Sequence, residues 1–277
     1  MLALKIKFQR GISPMARTYN INLWNERAKS DINFSSVISP NDKIGLKTDY
    51  VNTIDKNCIG PEILKLASGS KILDFGCGAG RLSQWTLFKD HHYFGIDQSE
   101  EMIATSKKYF GINKYLRFDL YDGKTLPFED NSFDCVIAIW VLQHIIDDDD
   151  LQNLMNEFAR VLRKTGRLLL IEQIADTEKY EFLKNGDAYK KCRTIDRFIN
   201  LCSGNLEFVR SKKTDGLVSH GLFYKSLAIF SFLHFSFLRD FIVAFIRLDE
   251  WYYSLFGRFK FFRTGWVDTF LLFSKTR

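Results

Sequence analysis

Gly76, Gly78 and Gly80 alternate through Ile72-Leu-Asp-Phe-Gly-Cys-Gly-Ala-Gly-Arg81, a stretch that begins as an apolar run and breaks into small residues. Such glycines permit positive φ and let a ligand approach the backbone where a Cβ would otherwise stand. The dinucleotide pattern G-x-G-x-x-G needs glycine at position 81, where this chain has Arg81. Asp74, at the entrance to the bend, would repel a pyrophosphate. It could accept hydrogen bonds from the ammonium group of an amino acid, directly or through water. Asp97 ends the next apolar run, seventeen residues after Gly80. A carboxylate there can accept from both hydroxyls of a ribose, each charge-assisted bond contributing about 1.5–3 kcal/mol. A third run leads into Asp119, which could accept from the amino group of adenine while Leu120 packs on the ring. Any one of these residues could be a turn residue or a helix cap; three successive strand ends together describe a nucleoside site.

These positions need strands beneath them and helices between. Apolar runs at Lys71–Phe75, Tyr93–Asp97, Tyr115–Phe118, Phe133–Trp140 and Arg167–Glu172 read as buried strands. Helices are expected at Arg81–Phe88 and Glu100–Phe110. A third is clearest on periodicity, with Leu151, Leu154, Met155, Phe158, Val161 and Leu162 on one face. Asp150 is the expected cap of its first turn, and Lys164-Thr-Gly166 its close. Strands alternating with helices indicate a parallel sheet covered on both faces, with ligands at the carboxyl ends of the strands.

Length and composition allow one large α/β domain with extensions: 277 residues, 46% hydrophobic and 26% charged. Cys58, Cys77, Cys135, Cys192 and Cys202 form no C-x-x-C pair and no zinc-like spacing, so no metal is expected. Free cysteines and the lack of a signal-peptide pattern at Met1–Arg10 point to the cytoplasm, and Met15 offers an alternative start. The carboxylates Asp147 to Asp150 read as a helix start rather than a metal site. Most of the net charge of +6 falls after Asn205, where eleven Lys/Arg face six Asp/Glu. That excess suits an anionic partner, a membrane surface, or a solvated basic face.

With these motifs in view, Ile72 to Gln173 resembles class I S-adenosylmethionine-dependent methyltransferases, in particular the small-molecule branch related to quinone biosynthesis. L-D-F-G-C-G-A-G-R is similar to the glycine motif of that family, F-G-I-D-Q-S-E-E-M to its ribose motif, and L-P-F-E-D-N-S-F-D-C-V to its fourth-strand entry. F-A-R-V-L-R-K-T-G-R-L-L-L-I resembles the segment leading to strand five. The resemblance implies a Rossmann-like, seven-stranded, mostly parallel α/β sheet with S-adenosylmethionine as cofactor. It places Asp74, Gly76 and Gly78 along the methionine part, Asp97 at the ribose, and Asp119 with Leu120 at adenine, with Cys77, Gly80 and Arg81 also among the cofactor-binding residues. Gln98 and Met102 would flank the base. Cys77 sits where the family varies among Ser, Cys and Thr, which argues against a nucleophile.

Trp140 could face the sulfonium in a cation–π contact of about 0.5–2 kcal/mol, or simply pack in the core. His144 is the candidate for removing or positioning the acceptor's proton, and could equally be structural. Tyr189 and Arg193 are candidate substrate contacts, with a surface helix starting at Thr194 as the plainer reading. Tyr19 and Trp24 could close over the cofactor. No N-P-P-Y motif stands at strand four, where the chain reads Ala138-Ile-Trp-Val141. A hydroxyl, carbon or amine acceptor is therefore expected, on a small molecule or a saccharide- or lipid-linked compound, and no nucleic acid.

Strand six fits Leu206–Arg210 and strand seven fits Asp268–Lys275, so their hairpin carries an insertion. From Gly221 to Phe262, fifteen of 42 residues are aromatic. Ser226–Leu238 is uncharged, but thirteen residues are too few to span a bilayer. This insertion could lid the pocket, form a homodimer interface, or lie peripherally on the inner face of a membrane. The expected organisation is an N-terminal helical extension or lid at 1–60, the cofactor domain at 61–213, the insertion at 214–265, and the last strand at 266–277. The competing reading is a membrane-associated scaffold that binds the cofactor without turning it over.

Overall fold

A computed structural model describes residues 12–29, 46–86, 90–181, 188–202, 204–214 and 266–276. The aromatic insertion, with its three candidate roles, lies outside the described residues. Among the described residues, two helices precede the sheet, α1 (Ile12–Lys29) and α2 (Leu46–Leu64). After β1 (Lys71–Phe75) come the short α3 (Ser83–Thr86), β2 (His92–Asp97), α4 (Glu100–Phe110), β3 (Leu116–Leu120) and β4 (Phe133–Ile139). A 3₁₀ turn (Leu142–His144), α5 (Asp148–Val161) and β5 (Leu162–Ala175) follow. The chain continues through β6 (Lys179–Glu181), β7 (Lys190–Cys192), α6 (Ile195–Cys202), β8 (Leu206–Lys213) and β9 (Trp266–Lys275).

Seven strands make one sheet in the order β3-β2-β1-β4-β5-β9-β8, and β6 pairs only with β7. β1 to β5 run parallel, while β9 lies antiparallel between β5 and β8. This is the expected Rossmann-like arrangement. The chain leaves β1 toward β2 and β3, then crosses to β4 and β5. The carboxyl ends of β1 and β4 therefore flank the reversal of strand order, where such sheets hold ligands.

Alternation along the strands feeds two cores. Leu73, Phe75, Val136, Leu168 and Leu170 meet Leu151, Leu154 and Phe158 of α5 and Phe198 of α6. Ile72, Ile137, Leu169 and Ile171 meet Ile54, Cys58, Ile59 and Ile63 of α2 on the other face. Each large apolar side chain buried this way contributes about 1.5–3 kcal/mol. Because its apolar face packs on the sheet, α2 runs through Pro61. A domain boundary drawn at residue 60 thus falls inside a helix.

Other expectations shift by a few residues. Asp147, not Asp150, caps α5, its Oδ1 accepting from the N–H groups of Asp149 and Asp150. The helix closes at Val161 with Leu162 already extended, so Lys164-Thr-Gly166 lies in β5 and caps nothing. Pairing of Phe133 with Leu162 draws the chain straight from helix into sheet. Among the described residues, no helix is long and apolar enough to cross a membrane.

Glu62 ties α2 to the sheet. Its side chain, 1% exposed, pairs with Lys65 at 2.6 Å, with Arg210 of β8 at 2.9 Å, and with Arg167 of β5. Burial pushes its carboxyl up, but these cations outweigh burial and hold its pKa below the usual carboxylate value. Such a group stabilises the fold above about pH 4, and the stabilisation is lost as pH falls through the lowered pKa. Glu62→Gln is expected to cost roughly 1–2 kcal/mol at pH 7, the cations being partly solvated. Urea unfolding across pH should also show a shallower acid limb in the variant; an unchanged limb would remove the hub.

Candidate functional site

The glycine bend is tied to the neighbouring strand. The N–H groups of Gly76 and Cys77 both donate to the Ile96 carbonyl of β2, at 2.8 and 3.0 Å. Gly76, Gly78 and Gly80 all have positive φ, as the bend demands. A Cβ on Gly76 would stand 2.5 Å from Val141 Cγ2, so the loop after β4 approaches this backbone too closely for any side chain.

Asp97 sits at the end of β2 with partial exposure. Its Oδ2 accepts from Gly78 N and its Oδ1 from Ser99 N, both at 2.9 Å. Burial raises its pKa while these amides pull the other way. The Gln98 amide adds to that pull, so three backbone donors share about four lone-pair sites and room remains for a hydroxyl donor. Leu120 is the register partner of Asp97 across β2 and β3 and is 53% exposed, an apolar surface beside the carboxylate. Asp119 lies one residue back, paired with Arg117 at 2.5 Å. Because β3 runs to Leu120 rather than Phe118, the first carboxylate beyond its end is Asp122. This residue was missed; its Oδ1 accepts from Lys124 N at 2.9 Å in a turn through Gly123.

Several expected ligands prove to be supports. Asp74 is 2% exposed and accepts a 2.5 Å bond from the Tyr93 hydroxyl. Burial raises its pKa to about 7, and little of it faces a ligand. The expectation for Arg81 is a cofactor contact. Instead it points to α2, donating to Asn52 Oδ1 at 2.6 Å and Asp55 Oδ2 at 2.7 Å, and so anchors the bend. The Cys77 thiol is buried against Gly95, and burial pushes its pKa well up, as suits a residue that is no nucleophile. Met102 does not flank an open base site, because it clusters with Ala28 of α1 and Ala79 of the bend.

The loop from Trp140 to Asp147 is held from both sides. Glu172 of β5 takes the N–H groups of Val141 and Leu142 on Oε1, at 3.0 and 2.8 Å, and that of Gln143 on Oε2 at 3.2 Å. Burial pushes Glu172 up to about 8 against the pull of those amides and of Arg193. Arg193, expected to touch substrate, is 0% exposed. Its guanidinium donates to the carbonyls of Leu142, Ile145 and Ile146 and to Asp148. It is a structural cation. Trp140 has φ 52°, costly for a bulky residue. Its ring packs partly buried against the α2-side core, and its indole N–H is buried without a partner among the described residues.

His144 stands on the 3₁₀ turn with Nδ1 2.9 Å from the Tyr189 carbonyl. A carbonyl has no proton to give, so Nδ1 carries the hydrogen and Nε2 the lone pair. Burial lowers its pKa to about 4, leaving the ring neutral at physiological pH. Helix α1 lies over this region. Trp24 meets the His144 ring edge-on at 5.7 Å and Tyr19 meets Tyr189 at 5.2 Å. Arg17 donates to Gln98 Oε1 at 3.1 Å and to the Asp122 carbonyl at 2.8 Å. Gln98 is thus engaged by α1, and Arg17, Asn20 and Asn25 are site-edge residues missed in the sequence. The described residues hold no group of three His, Cys, Asp or Glu placed to share a metal.

Residues 73–170 match the family model described as "Methyltransferase domain". The methyltransferase GfsG of Streptomyces halstedii is 34% identical over 115 residues, 40% of each chain. The sterol 24-C-methyltransferase erg6 of Aspergillus fumigatus is 30% identical over 207 residues, 73% of this chain and 49% of that one. The match thus spans less than half the length of either curated relative. Among solved structures, an O-methyltransferase from a trans-AT polyketide synthase multienzyme of Brevibacillus brevis, in complex with S-adenosylhomocysteine, has a TM-score of 0.58 at 18% identity. It covers 88% of this chain and 80% of that one. The [4+2]-cyclase SpnF has a TM-score of 0.57 at 17% identity over 95% and 96%. These structures share the fold.

Gly76→Ala is expected to destabilise the chain by about 1–3 kcal/mol through positive φ and the Val141 clash. Val141→Ala in the same background should recover the part due to the Val141 methyls, leaving the φ strain and the 2.9 Å approach of the residue-141 Cβ. Urea unfolding of the single and double variants checks this; strictly additive losses would refute the contact.

Proposed function

Because residues 73–170 form a methyltransferase domain of the class I S-adenosylmethionine-dependent type, we propose that the protein methylates a hydroxyl of a small-molecule or saccharide- or lipid-linked acceptor, with His144 Nε2 receiving the proton. S-adenosylmethionine supplies the methyl group on a sulfonium that needs no further activation. The residues present fit this cofactor: a sharp bend turned by three positive-φ glycines, the partly exposed Asp97 carboxyl at the end of β2, Leu120 as an apolar face, and Asp122 beyond β3.

The observation that carries the hydroxyl assignment is the neutral, Nδ1-protonated ring of His144. A base with a pKa near 4 is too weak to deprotonate an alkylammonium, whose pKa near 10 leaves a gap of about 8 kcal/mol. A hydroxyl differs. Its proton becomes strongly acidic as the oxygen forms its new bond to carbon, so a weak base in the right place suffices. Holding the acceptor against the methyl group then lowers most of the barrier, by up to about 7–11 kcal/mol in ideal cases. Trp140 and Tyr189 flank His144 in this reading and would shape the acceptor pocket.

A panel of phenols, sugars and long-chain alcohols, with amines as a control set, tests this through S-adenosylhomocysteine formation. His144→Asn keeps a donor for the Tyr189 carbonyl and removes Nε2. Turnover is expected to fall by about 10²–10⁴ with S-adenosylhomocysteine affinity unchanged. Wild-type turnover should stay flat from neutral pH down toward 4, then fall as His144 protonates. Undiminished turnover in the variant, or turnover of amines alone, would overturn the assignment. Binding of the cofactor with no product across the panel would favour the scaffold reading.

A further inference from the structure

The Tyr189 carbonyl that accepts from His144 Nδ1 is itself held by α1. Asn20 Nδ2 donates to that carbonyl at 3.1 Å, and Asn20 Oδ1 accepts from Tyr189 N at 2.8 Å. The amide of one buried side chain thus spans both backbone groups of one residue 169 positions away. Its orientation is unambiguous, because the N–H of Tyr189 needs an acceptor and the carbonyl a donor. The same helix is pinned at the cofactor edge. Asn25 Oδ1 accepts from Ser99 Oγ at 2.6 Å and from Glu101 N at 3.4 Å, and Arg17 reaches Gln98 and Asp122.

We infer that Asn20 is a positioning residue which, when α1 is seated, aims the Tyr189 carbonyl at His144 and thereby keeps the proton on Nδ1 and the lone pair on Nε2. The inference rests on His144 being the proton acceptor. It makes the proton-accepting tautomer a consequence of α1 closing over the site. An imidazole without that carbonyl partner distributes its proton over both nitrogens, and the fraction carrying it on Nε2 cannot receive another there.

The test uses the full chain labelled with ¹⁵N-histidine and saturated with S-adenosylhomocysteine. The His144 resonances are assigned by their loss in His144→Asn. Long-range proton–nitrogen correlation should show a single Nδ1–H tautomer in the wild type and a mixture in Asn20→Ala. In parallel, turnover on the most reactive alcohol should fall about tenfold in Asn20→Ala, chiefly in kcat, with no further fall when Asn20→Ala is added to His144→Asn. Should the alanine variant not fold, Asn20→Asp keeps the acceptor arm, loses the donor arm, and must show the same mixed tautomer. A pure Nδ1–H signal in the folded Asn20 variant sinks the role of Asn20 while leaving His144 as base. A wild-type ring protonated on Nε2 sinks both.

Discussion

A loop that would otherwise expose its backbone is clamped between one buried carboxyl group and one buried guanidinium. Glu172 takes the amide hydrogens of Val141, Leu142 and Gln143, while Arg193 takes the carbonyls of Leu142, Ile145 and Ile146. Buried backbone groups need partners, and here two side chains supply six of them. The clamp sets Val141 against Gly76, closing the distance between the β4 loop and the glycine bend. It also fixes the 3₁₀ turn on which His144 stands. Arg193 continues into Asp148, which Lys191 and Arg197 also hold, so the clamp reaches α5, β7 and α6 at once.

Around this rigid centre the site divides by function of its supports. Arg81 with Asp55, and Tyr93 with Asp74, stabilise the bend from its buried side. Asp97 joins the bend to the end of β2 through the Gly78 amide. Helix α1 then crosses from the β2 and β3 ends to His144, reaching the first through Arg17 and Asn25 and the second through Trp24. Binding groups are few and supporting groups many, as expected where a flexible bend must be held in one shape.

What was legible in the sequence is what is local. The strand, the glycines and the next strand's Asp97 follow one another closely, and each states its own constraint. The periodicity of α5 from Leu151 to Val161 is of the same kind. Arg81 escapes a local reading because Asp55 lies 26 positions upstream, in the stretch that reads as an N-terminal extension. Asp122 was passed over because β3 outlasts its apolar pattern by two residues, the alternation of Arg117 and Asp119 hiding a strand whose partner is β2. Arg193 looks like a surface cation until the three carbonyls of a loop nearly fifty residues earlier are brought to it. Glu172 carried no signal beyond ending an apolar run. Nonlocal pairing of charged side chains with loop backbone leaves no periodicity to read.

The account stands on Asp97 and the glycine bend forming a nucleoside site at the reversal of strand order. Calorimetric titration of S-adenosylhomocysteine into the purified chain, and into its Asp97→Ala variant, tests that directly. One saturable site in the wild type, weakened by at least about tenfold without Asp97, is the predicted result. No heat with the wild type, or equal affinity in the two proteins, would contradict it.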